Sequence, residues 1–312
     1  LENKQLNKTT LKKLILLIKL LIGYYKLLDC YKPDIAISTL SLPNIINSII
    51  GKFFPKSRVI LREATSPLSY IKFSSRTRLE YFLKCIPYKI YSLSDIFVVL
   101  TKTAQEEMLE LNRKINTRII SNPIICSNQY NKQKEVDSST FAKYKTIVMV
   151  TRLVDYKNPL FALELIKEMD PDYKLVICGQ GPMEEIMKNY IVQNKLTNRV
   201  KLLGYQEQEE VNSLMSIQAI YLSTSLFEGM SNALISAMQV NCPIIAYSAP
   251  GIKEQLEDGK WGILFQDFDT KNVCKLIKQI NAGNISEYQA NPYKALEDQK
   301  YNIDYISDNY IK

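Results

Sequence analysis

The chain has 312 residues, a length that favours two domains, because a single hydrophobic core stops growing well before this size. Hydrophobic residues make up 46% and charged residues 23%, which is typical of a folded protein and excludes a disordered one. The formal net charge of +8 comes from scattered lysines and arginines, so we expect a modest positive field and no nucleic-acid-binding face.

The chain contains no histidine, and this narrows the chemistry. The absence excludes Ser-His and Cys-His nucleophiles and removes the most frequent zinc ligand. No cluster of acidic residues suggests a metal site, so we predict no metal and no cofactor. The six cysteines are widely spaced without a CxxC pair, which predicts reduced core residues in a cytoplasmic protein.

The first predicted element is a helix over residues 10–30. Its most apolar run is interrupted by charged residues, so no span of about 20 apolar residues can cross a membrane. Lys12, Lys19 and Lys26 recur every seven residues and share one face. The helix is either a domain helix with an exposed basic stripe or an interfacial helix on the acidic inner face of the plasma membrane.

Strand-like and helix-like segments then alternate along the chain, which predicts parallel sheets with helices on both faces. The polar stretch 127–143 has no periodic apolar face and is interpreted as an interdomain connection. We therefore predict a first domain over 1–135, a second over 136–293, and a helical tail over 294–312 that packs at the domain junction.

Ligands of open parallel sheets bind beyond the carboxyl ends of the strands, so the strand-to-helix loops of the second domain are the candidate site. In "TRLVDYKNP", Arg152 and Lys157 are two cations beside a helix that Asn158 caps and Pro159 begins. Two cations at this position could bind a diphosphate, although a loop with two solvated cations and no ligand would have the same sequence pattern. "GQGP" offers two glycines and a helix-starting proline, a weak signal when taken alone.

The stretch "STSLFEGMSNALISAMQ" is a glutamate-led turn that enters a helix. Gly229 permits a tight turn, Ser231 and Asn232 add polar groups to the exposed helix N–H groups, and Glu228 faces the same crevice. A capping turn with a solvent-exposed acid is the plainer interpretation of this stretch.

Taken in order, these segments resemble the retaining, nucleotide-sugar-dependent glycosyltransferases of family 4. That resemblance implies the GT-B fold, an α/β architecture of two doubly wound, Rossmann-like domains that face a cleft. It implies that Arg152 and Lys157 hold the donor diphosphate and that Glu228 contacts the donor sugar. The donor would also meet Gly229, Met230, Ser231 and Asn232, and its base would lie near Gly179, Gly181, Pro182, Leu203, Gly204 and Tyr205. The acceptor would lie near Arg62 and Glu63 in the first domain.

The chain departs from the family pattern at two places. Family members usually carry a second glutamate, which holds the ribose, where this chain has Ser236. A neutral hydrogen bond contributes about 1 kcal/mol against about 1.5–3 for a charged one, so we expect weaker nucleotide binding. The chain also opens at Leu1 without the family's first strands, which predicts a fragment with a truncated first domain.

The predicted function is metal-independent transfer of a sugar from a UDP- or GDP-sugar to a lipid-linked or saccharide acceptor in surface polysaccharide synthesis. Peripheral association with an acidic membrane is a separate expectation. A degenerate relative that binds a nucleotide sugar or a partner without turnover stays open, as does an epimerase or phosphorylase of the same fold.

Overall fold

The computed structural model describes residues 2–123, 145–216, 219–281, 292–297 and 301–311, with the side chains of 2–11, 13 and 14 left undescribed. The chain divides into two compact units, Leu1–Ile119 and Ile120–Lys312. The predicted connection 127–143 and Cys126 lie outside the described residues.

The first unit is a parallel α/β unit. Its helices are α1 (Glu2–Tyr31), α2 (Ser41–Ile50), α3 (Pro67–Ser74), α4 (Arg78–Ile90) and α5 (Lys102–Leu111). Its strands are β1 (Ile35–Thr39), β2 (Arg58–Arg62), β3 (Ile96–Val99) and β4 (Thr117–Ile119). The four strands lie side by side in chain order, and all neighbours are parallel.

Helix α1 packs mainly against helix α2 through one narrow stripe. Leu17, Leu21, Tyr24 and Leu28 recur at helical spacing and pack with Ile46 and Ile50 of α2. Lys12, Lys19 and Lys26 are exposed on α1, as expected for the exposed basic stripe. Among the described residues, no helix is both long and apolar enough to cross a bilayer.

The second unit repeats the same architecture with more strands. Its strands are β5 (Thr146–Val150), β6 (Lys174–Cys178), β7 (Val200–Gly204), β8 (Ala219–Ser223), β9 (Ile244–Tyr247) and β10 (Ile263–Phe265). Its helices are α6 (Pro159–Glu168), α7 (Glu184–Gln193), α8 (Gln208–Ser216), α9 (Asn232–Gln239), α10 (Pro250–Gln255), α11 (Thr270–Asn281) and α12 (Ile303–Ile311).

The strands of the second sheet are all parallel and run in the order β10-β9-β8-β5-β6-β7. Strands β5, β6 and β7 lie side by side in chain order, and β8 then lies on the opposite side of β5. The helices that follow these two strands therefore leave on opposite faces, which opens a crevice at their carboxyl ends. The predicted fold class, two parallel-sheet α/β units, is confirmed: the second sheet is doubly wound, whereas the four described strands of the first sheet lie in chain order.

Three local predictions need correction. Helix α7 begins at Glu184, so Pro182 precedes the helix instead of starting it. Helices α3 and α11 were not predicted, although α11 buries Val273, Cys274, Ile277 and Ile280 at helical spacing. Cys30 is exposed on α1, whereas Cys178, Cys242 and Cys274 are buried thiols as predicted.

Candidate functional site

A cavity of about 290 Å³ lies at the switch point of the second sheet. Its walls come from the loops that follow β5 and β8, the two strands between which the strand order reverses. Arg152 and Lys157 line it from the first loop, and Glu228 lines it from the second. Met230, Ser231 and Asn232 also line it, whereas Gly229, which was predicted with them, is buried and is not part of its wall. The structure thus brings together side chains up to 80 residues apart in the sequence.

Lys157 and Glu228 form an ion pair inside this cavity. The ammonium contacts Oε1 of the carboxylate, and their side chains are only 12% and 13% exposed. The Ser225 hydroxyl donates to the same oxygen at 2.9 Å. Because this pair is shielded from water, each charge orients the other more firmly than in an exposed pair. Glu228 is therefore an acceptor held in one place, not a solvent-exposed acid on a capping turn.

Tyr156 organises the two cations. Its ring stacks on Phe227 with centroids 4.8 Å apart, and its hydroxyl contacts the Arg152 guanidinium. The Lys157 ammonium lies 5.3 Å from the same ring centroid. One aromatic side chain thus limits the movement of both cations, and the Phe227 stack ties it to the Glu228 loop.

Backbone hydrogen bonds join the two loops as well. The Thr224 hydroxyl bonds the carbonyls of Lys157 and Asn158 at 2.7 and 3.0 Å, and Leu226 N–H donates to the Tyr156 carbonyl at 2.8 Å. Asn158 differs from its prediction: it adopts a left-handed conformation (φ 48°) and makes no side-chain cap. Asparagine tolerates that conformation, which lets the chain turn sharply from Lys157 into Pro159 at the start of α6.

The glutamate-led turn is held from behind by α10. The Gln255 side chain is buried, accepts from Ser231 N–H at 2.7 Å and donates to the Ser231 carbonyl at 3.2 Å. A Cβ on Gly251 would lie 2.3 Å from the Glu228 carbonyl oxygen, so only glycine permits this approach. Ser231 caps α9 by accepting from Leu234 N–H, which agrees with the plainer interpretation of this stretch as a capping turn. The Ser231 N–H donates to Gln255 and is therefore not free, although exposed N–H groups were expected at this turn.

The two glycines of "GQGP" support the Arg152 loop. Gly179 has φ +136°, and a Cβ there would lie 1.7 Å from the Thr151 carbonyl oxygen. A Cβ on Gly181 would lie 2.3 Å from the Leu153 carbonyl oxygen. The two glycines therefore let the backbones approach closely, because a residue with a Cβ would overlap the backbone of Thr151 or Leu153.

The remaining base-side residues lie at the end of β7. Gly204 has φ +68°, and its carbonyl accepts from Gly179 N–H at 2.6 Å. Leu203 and Tyr205 are 37% and 66% exposed, and Pro182 is exposed before α7. These residues border the Gly179 loop and are not part of the Glu228 cavity wall.

Ser236 is buried within α9. Its hydroxyl donates to the Asn232 carbonyl at 3.0 Å and accepts from the Gln208 side chain of α8 at 2.7 Å. Gln208 also donates to Asn212 at 2.8 Å. Both hydrogen-bonding functions of the hydroxyl are therefore used within the unit, and it does not line the cavity.

In the first unit, Arg62 ends β2 and Glu63 follows it. Glu63 is 8% exposed, and its carboxylate accepts from the Thr65 hydroxyl at 2.9 Å. Burial raises the pKa of the Glu63 carboxyl, while bonds from Thr65 and the N–H of Ala64 oppose that rise. The Arg62 carbonyl accepts from the buried Asn44 side chain at 3.1 Å.

Residues that support the site escaped the sequence analysis: Tyr156, Thr224, Gly251 and Gln255. Tyr156 lies within the loop that carries both cations, so its position was available. No local sequence pattern marks Gln255 or Gly251 as part of the site, because only tertiary packing brings α10 behind Glu228. In the part of the chain that the structure describes, no three acidic or cysteine residues form a group that could hold a metal.

Comparison with known proteins adds the family. The sequence profile of the family described as Glycosyl transferases group 1 matches residues 131–298, which is more than half of the chain. The chain belongs to this family. The match contains all of the second sheet and every cavity residue described above.

Individual relatives are more distant. A Campylobacter jejuni protein is 26% identical over 271 residues, covering 85% of this chain and 72% of its own length. It is named N-acetylgalactosamine-N,N'-diacetylbacillosaminyl-diphospho-undecaprenol 4-alpha-N-acetylgalactosaminyltransferase. The amylovoran biosynthesis glycosyltransferase AmsK of Erwinia amylovora is 29% identical over 146 residues, covering 44% of this chain and 36% of its own length. The chain thus spans only about a third of that relative.

Solved glycosyltransferase structures share the fold. HepE of Anabaena in complex with UDP-glucose matches with a TM-score of 0.76 at 16% identity, covering 94% of this chain and 80% of its own. Sucrose-phosphate synthase of Thermosynechococcus elongatus matches with a TM-score of 0.74 at 15% identity, covering 94% of this chain and 76% of its own. Together with the two parallel sheets, these matches confirm the GT-B fold.

Proposed function

We propose that this chain is a retaining glycosyltransferase of family 4 that uses a UDP- or GDP-sugar as its donor. The acceptor would be a lipid-linked or free saccharide in surface polysaccharide synthesis. The observation that carries the proposal is the single cavity lined by Arg152, Lys157 and Glu228 at the switch point of a parallel sheet. Two similar proteins support the proposal, since HepE is complexed with UDP-glucose and the Campylobacter relative acts on a diphospho-undecaprenol compound.

In the proposed reaction, the bond between the anomeric carbon and the diphosphate oxygen breaks while a bond to the acceptor oxygen forms on the same face. The acceptor hydroxyl proton passes to the departing diphosphate, so no protein base is required. Arg152 and Lys157 stabilise the charge that develops on the diphosphate, a type of contribution worth about 10²–10³ in rate per donor group. The reaction is proposed to need no metal and no cofactor.

Glu228 would accept hydrogen bonds from hydroxyls of the donor sugar. Oε1 already contacts Lys157 and Ser225, so the carboxylate enters the cavity in a fixed direction. An oriented acceptor favours one arrangement of sugar hydroxyls. We therefore expect Glu228 to determine which sugar is used as well as how tightly it binds.

Arg62 and Glu63 are proposed to lie on the acceptor side, and the exposed Lys12, Lys19 and Lys26 of α1 are proposed to face an acidic membrane. Gly179, Gly181 and Gly204 are proposed to border the nucleotide base.

The alternative is a relative that binds a nucleotide sugar without turnover. Ser236 favours it, because its hydroxyl is engaged by Gln208 and Asn232 and offers no charged contact to a ribose. Gln208 and Ser236 would then hold α8 against α9 and have no role toward a ligand.

The test measures nucleoside diphosphate release from a panel of UDP- and GDP-sugars in the presence of EDTA. Turnover by the wild-type chain with a soluble saccharide acceptor, lost in Lys157→Ala, supports transfer. Binding of a UDP-sugar by calorimetry without any turnover supports the alternative, and Ser236→Glu then asks whether a carboxylate restores the rate. Neither binding nor turnover with any nucleotide sugar would contradict both.

A further inference from the structure

Asn122 is a half-buried residue that contacts two residues of the cavity wall from outside the cavity. It belongs to the second unit, which begins at Ile120. Its Nδ2 group donates to the side-chain oxygen Oδ1 of Asn232 at 2.6 Å, and its backbone N–H donates to Met230 Sδ at 3.4 Å. Met230 and Asn232 line the cavity, whereas Asn122 does not. Asn122 therefore acts on the cavity wall through these two neighbours.

The backbone on both sides of Asn122 is restrained. Ile120 and Ser121, which precede it, are buried at 4% and 7% exposure. Pro123 follows it, and a residue before proline is restricted to extended conformations. The N–H contact with Met230 is a further restraint. The Asn122 side chain thus starts from a fixed position, so little conformational entropy is lost when its amide forms a hydrogen bond.

The bond from Asn122 determines which end of the Asn232 amide is available to a ligand. An asparagine side chain has one oxygen that accepts hydrogen bonds and one nitrogen that donates two. Because Oδ1 of Asn232 accepts from Asn122, its Nδ2 group is the end that remains, and the described residues give that group no partner. Asn232 therefore offers N–H donors, and not an oxygen, to a ligand in the cavity.

The position of Asn232 favours an anionic ligand atom. Asn232 is the first of the eight residues of α9, where the backbone N–H groups of a helix carry a positive partial charge. The cations Arg152 and Lys157 line the same cavity. An N–H donor among these groups suits a phosphate oxygen, whereas a carbonyl oxygen turned in the same direction would repel it.

We propose that Asn122 is a positioning residue of the donor site. Its Nδ2 group holds Oδ1 of Asn232, so that the Asn232 Nδ2 group donates to a phosphate oxygen of a nucleoside diphosphate in the cavity. This inference rests on the proposed function, because it assigns a residue that acts on the same ligand. Asn122 does not touch the ligand itself. Without its amide, the Asn232 side chain is free to rotate and to present either end.

A purely mechanical role for Asn122 would have different consequences. If its bond to Asn232 only fastened the segment 120–123 to α9, loss of the Asn122 amide would lower stability and leave ligand affinity unchanged. Binding measurements separate the two roles, because only the positioning role depends on the Asn232 amide and on a phosphate in the ligand.

The experiment is isothermal titration calorimetry of the full chain with UDP and with GDP, and the nucleotide that binds more tightly is the probe. The matching nucleoside, measured by competition against this probe, serves as a ligand without phosphate. Asn122→Ala should weaken binding of the diphosphate about threefold to fivefold, because one neutral hydrogen bond no longer orients the donor. Binding of the nucleoside should stay unchanged.

Asn122→Asp tests the polarity of the bond with a side chain of nearly the same shape. An ionised carboxylate only accepts hydrogen bonds, so it would accept from Asn232 Nδ2 and turn Asn232 Oδ1 toward the ligand. Binding of the diphosphate should therefore fall at least about tenfold. Asn232→Ala removes the donor itself and should cause a loss on the order of tenfold, because hydrogen bonds to charged groups are the stronger ones.

Double variants show whether Asn122 acts through Asn232. Asn122→Ala/Asn232→Ala should bind the diphosphate no more weakly than Asn232→Ala alone, because no amide is left to orient. Asn122→Asp/Asn232→Ala measures the repulsion by the new carboxylate alone. The matched control is Asn194→Ala: Asn194 is also half-buried, and it donates to the Tyr190 carbonyl at 2.9 Å, outside the cavity wall. Its replacement should leave the affinity unchanged.

Three results would overturn the positioning role and leave the proposed function intact. They are wild-type affinity for the diphosphate in both Asn122 variants, equal losses for the diphosphate and the nucleoside, and additive losses in Asn122→Ala/Asn232→Ala. A lower melting temperature of Asn122→Ala with unchanged affinity would identify the mechanical role instead. If the wild-type chain binds neither UDP nor GDP, the inference and the proposed function are both wrong.

Discussion

The carboxyl edges of the two parallel sheets are built in different ways. In the second unit, hydrogen bonds from Leu226 N–H and the Thr224 hydroxyl join the loops after β5 and β8, and the side chains of these loops line a cavity. In the first unit, polar side chains at the corresponding edge bond one another: Ser38 donates to Asn44, Asn44 donates to the Arg62 carbonyl, and Thr65 donates to Glu63.

The difference shows that a parallel sheet alone does not create a charged cavity at its carboxyl edge. Both sheets present helix starts and loops at their carboxyl ends, as the architecture requires. At the β5 and β8 edge, two cations and a carboxylate converge on a cavity, and glycines let the loop after β6 and helix α10 approach the backbones of these two loops closely. The following four predictions test this contrast, from the largest expected effect to the smallest.

The largest effect is expected for Gly179→Ala. The new Cβ would overlap the Thr151 carbonyl oxygen, and φ +136° is a conformation that alanine rarely adopts. Strain and overpacking together should lower the free energy of unfolding by at least about 3 kcal/mol, measured by urea denaturation. Gly23→Ala is the control, because nothing lies within 4 Å of its Cβ position in α1. A gain of about 0.5–1 kcal/mol is expected there, and equal effects at both positions would break the contrast.

The next effect concerns catalysis. Arg152→Ala and Lys157→Ala should each lower the rate of nucleoside diphosphate release about 10²–10³-fold, since each removes a cation from the cavity. Lys188→Ala is the control, because the Lys188 side chain pairs with Glu184 and Glu185 on α7 and is 49% exposed. That change should leave the rate unaltered. If all three variants keep the wild-type rate, the cavity is not where the diphosphate binds.

A smaller loss is expected for Asn47→Ala in the first unit. Asn47 is 1% exposed, donates to the Ala36 carbonyl and Ser38 Oγ, and accepts from Tyr24 at 2.9 Å. Leaving these buried groups unsatisfied should lower the free energy of unfolding by about 1–3 kcal/mol. Asn116→Ala removes an exposed bond to the Asp95 carbonyl and should change it by less than about 0.5 kcal/mol. Similar losses in both variants would argue against a buried polar network as the support of this edge.

The smallest effect is a pH dependence of stability. Burial raises the pKa of Glu63 above 4.5, so the folded chain holds this proton more tightly than the unfolded chain. The Glu63 contribution is most favourable below pH 4.5 and declines as pH rises through the raised pKa. Glu63→Gln should therefore gain stability relative to the wild type with rising pH.

The control for that titration is Glu80, whose pKa is lowered mainly by its bond from Arg76 N–H. The stability that Glu80 contributes is present above pH 4.5 and is lost as pH falls through the lowered pKa. The loss of stability in Glu80→Gln should therefore disappear at low pH. The stability of this variant relative to the wild type thus changes with pH in the opposite direction to that of Glu63→Gln. Urea unfolding from about pH 3 to pH 8 measures both, and the same direction in both variants would contradict the assignment for Glu63.

Much of the fold could be predicted from sequence periodicity, because periodicity is a local property of the chain. The strands and most helices lie where alternating apolar segments indicate them. Helix α3 was missed because Pro67 and two serines hide a short helix, and α7 begins later than Pro182 indicated. Asn158 was predicted as a side-chain cap, yet its left-handed backbone makes the turn, and this depends on how Lys157 must reach Glu228.

The sequence by itself determined the family, the two parallel sheets and the residue types of the site, because these depend on motif order and local pattern. Only the tertiary structure decided that Glu228 pairs with Lys157, that Gln255 holds Ser231, and that Ser236 bonds Gln208. These contacts join residues 71, 24 and 28 positions apart. Their existence depends on β8 lying beside β5 and on glycines that admit close backbone approach, and no local pattern encodes either.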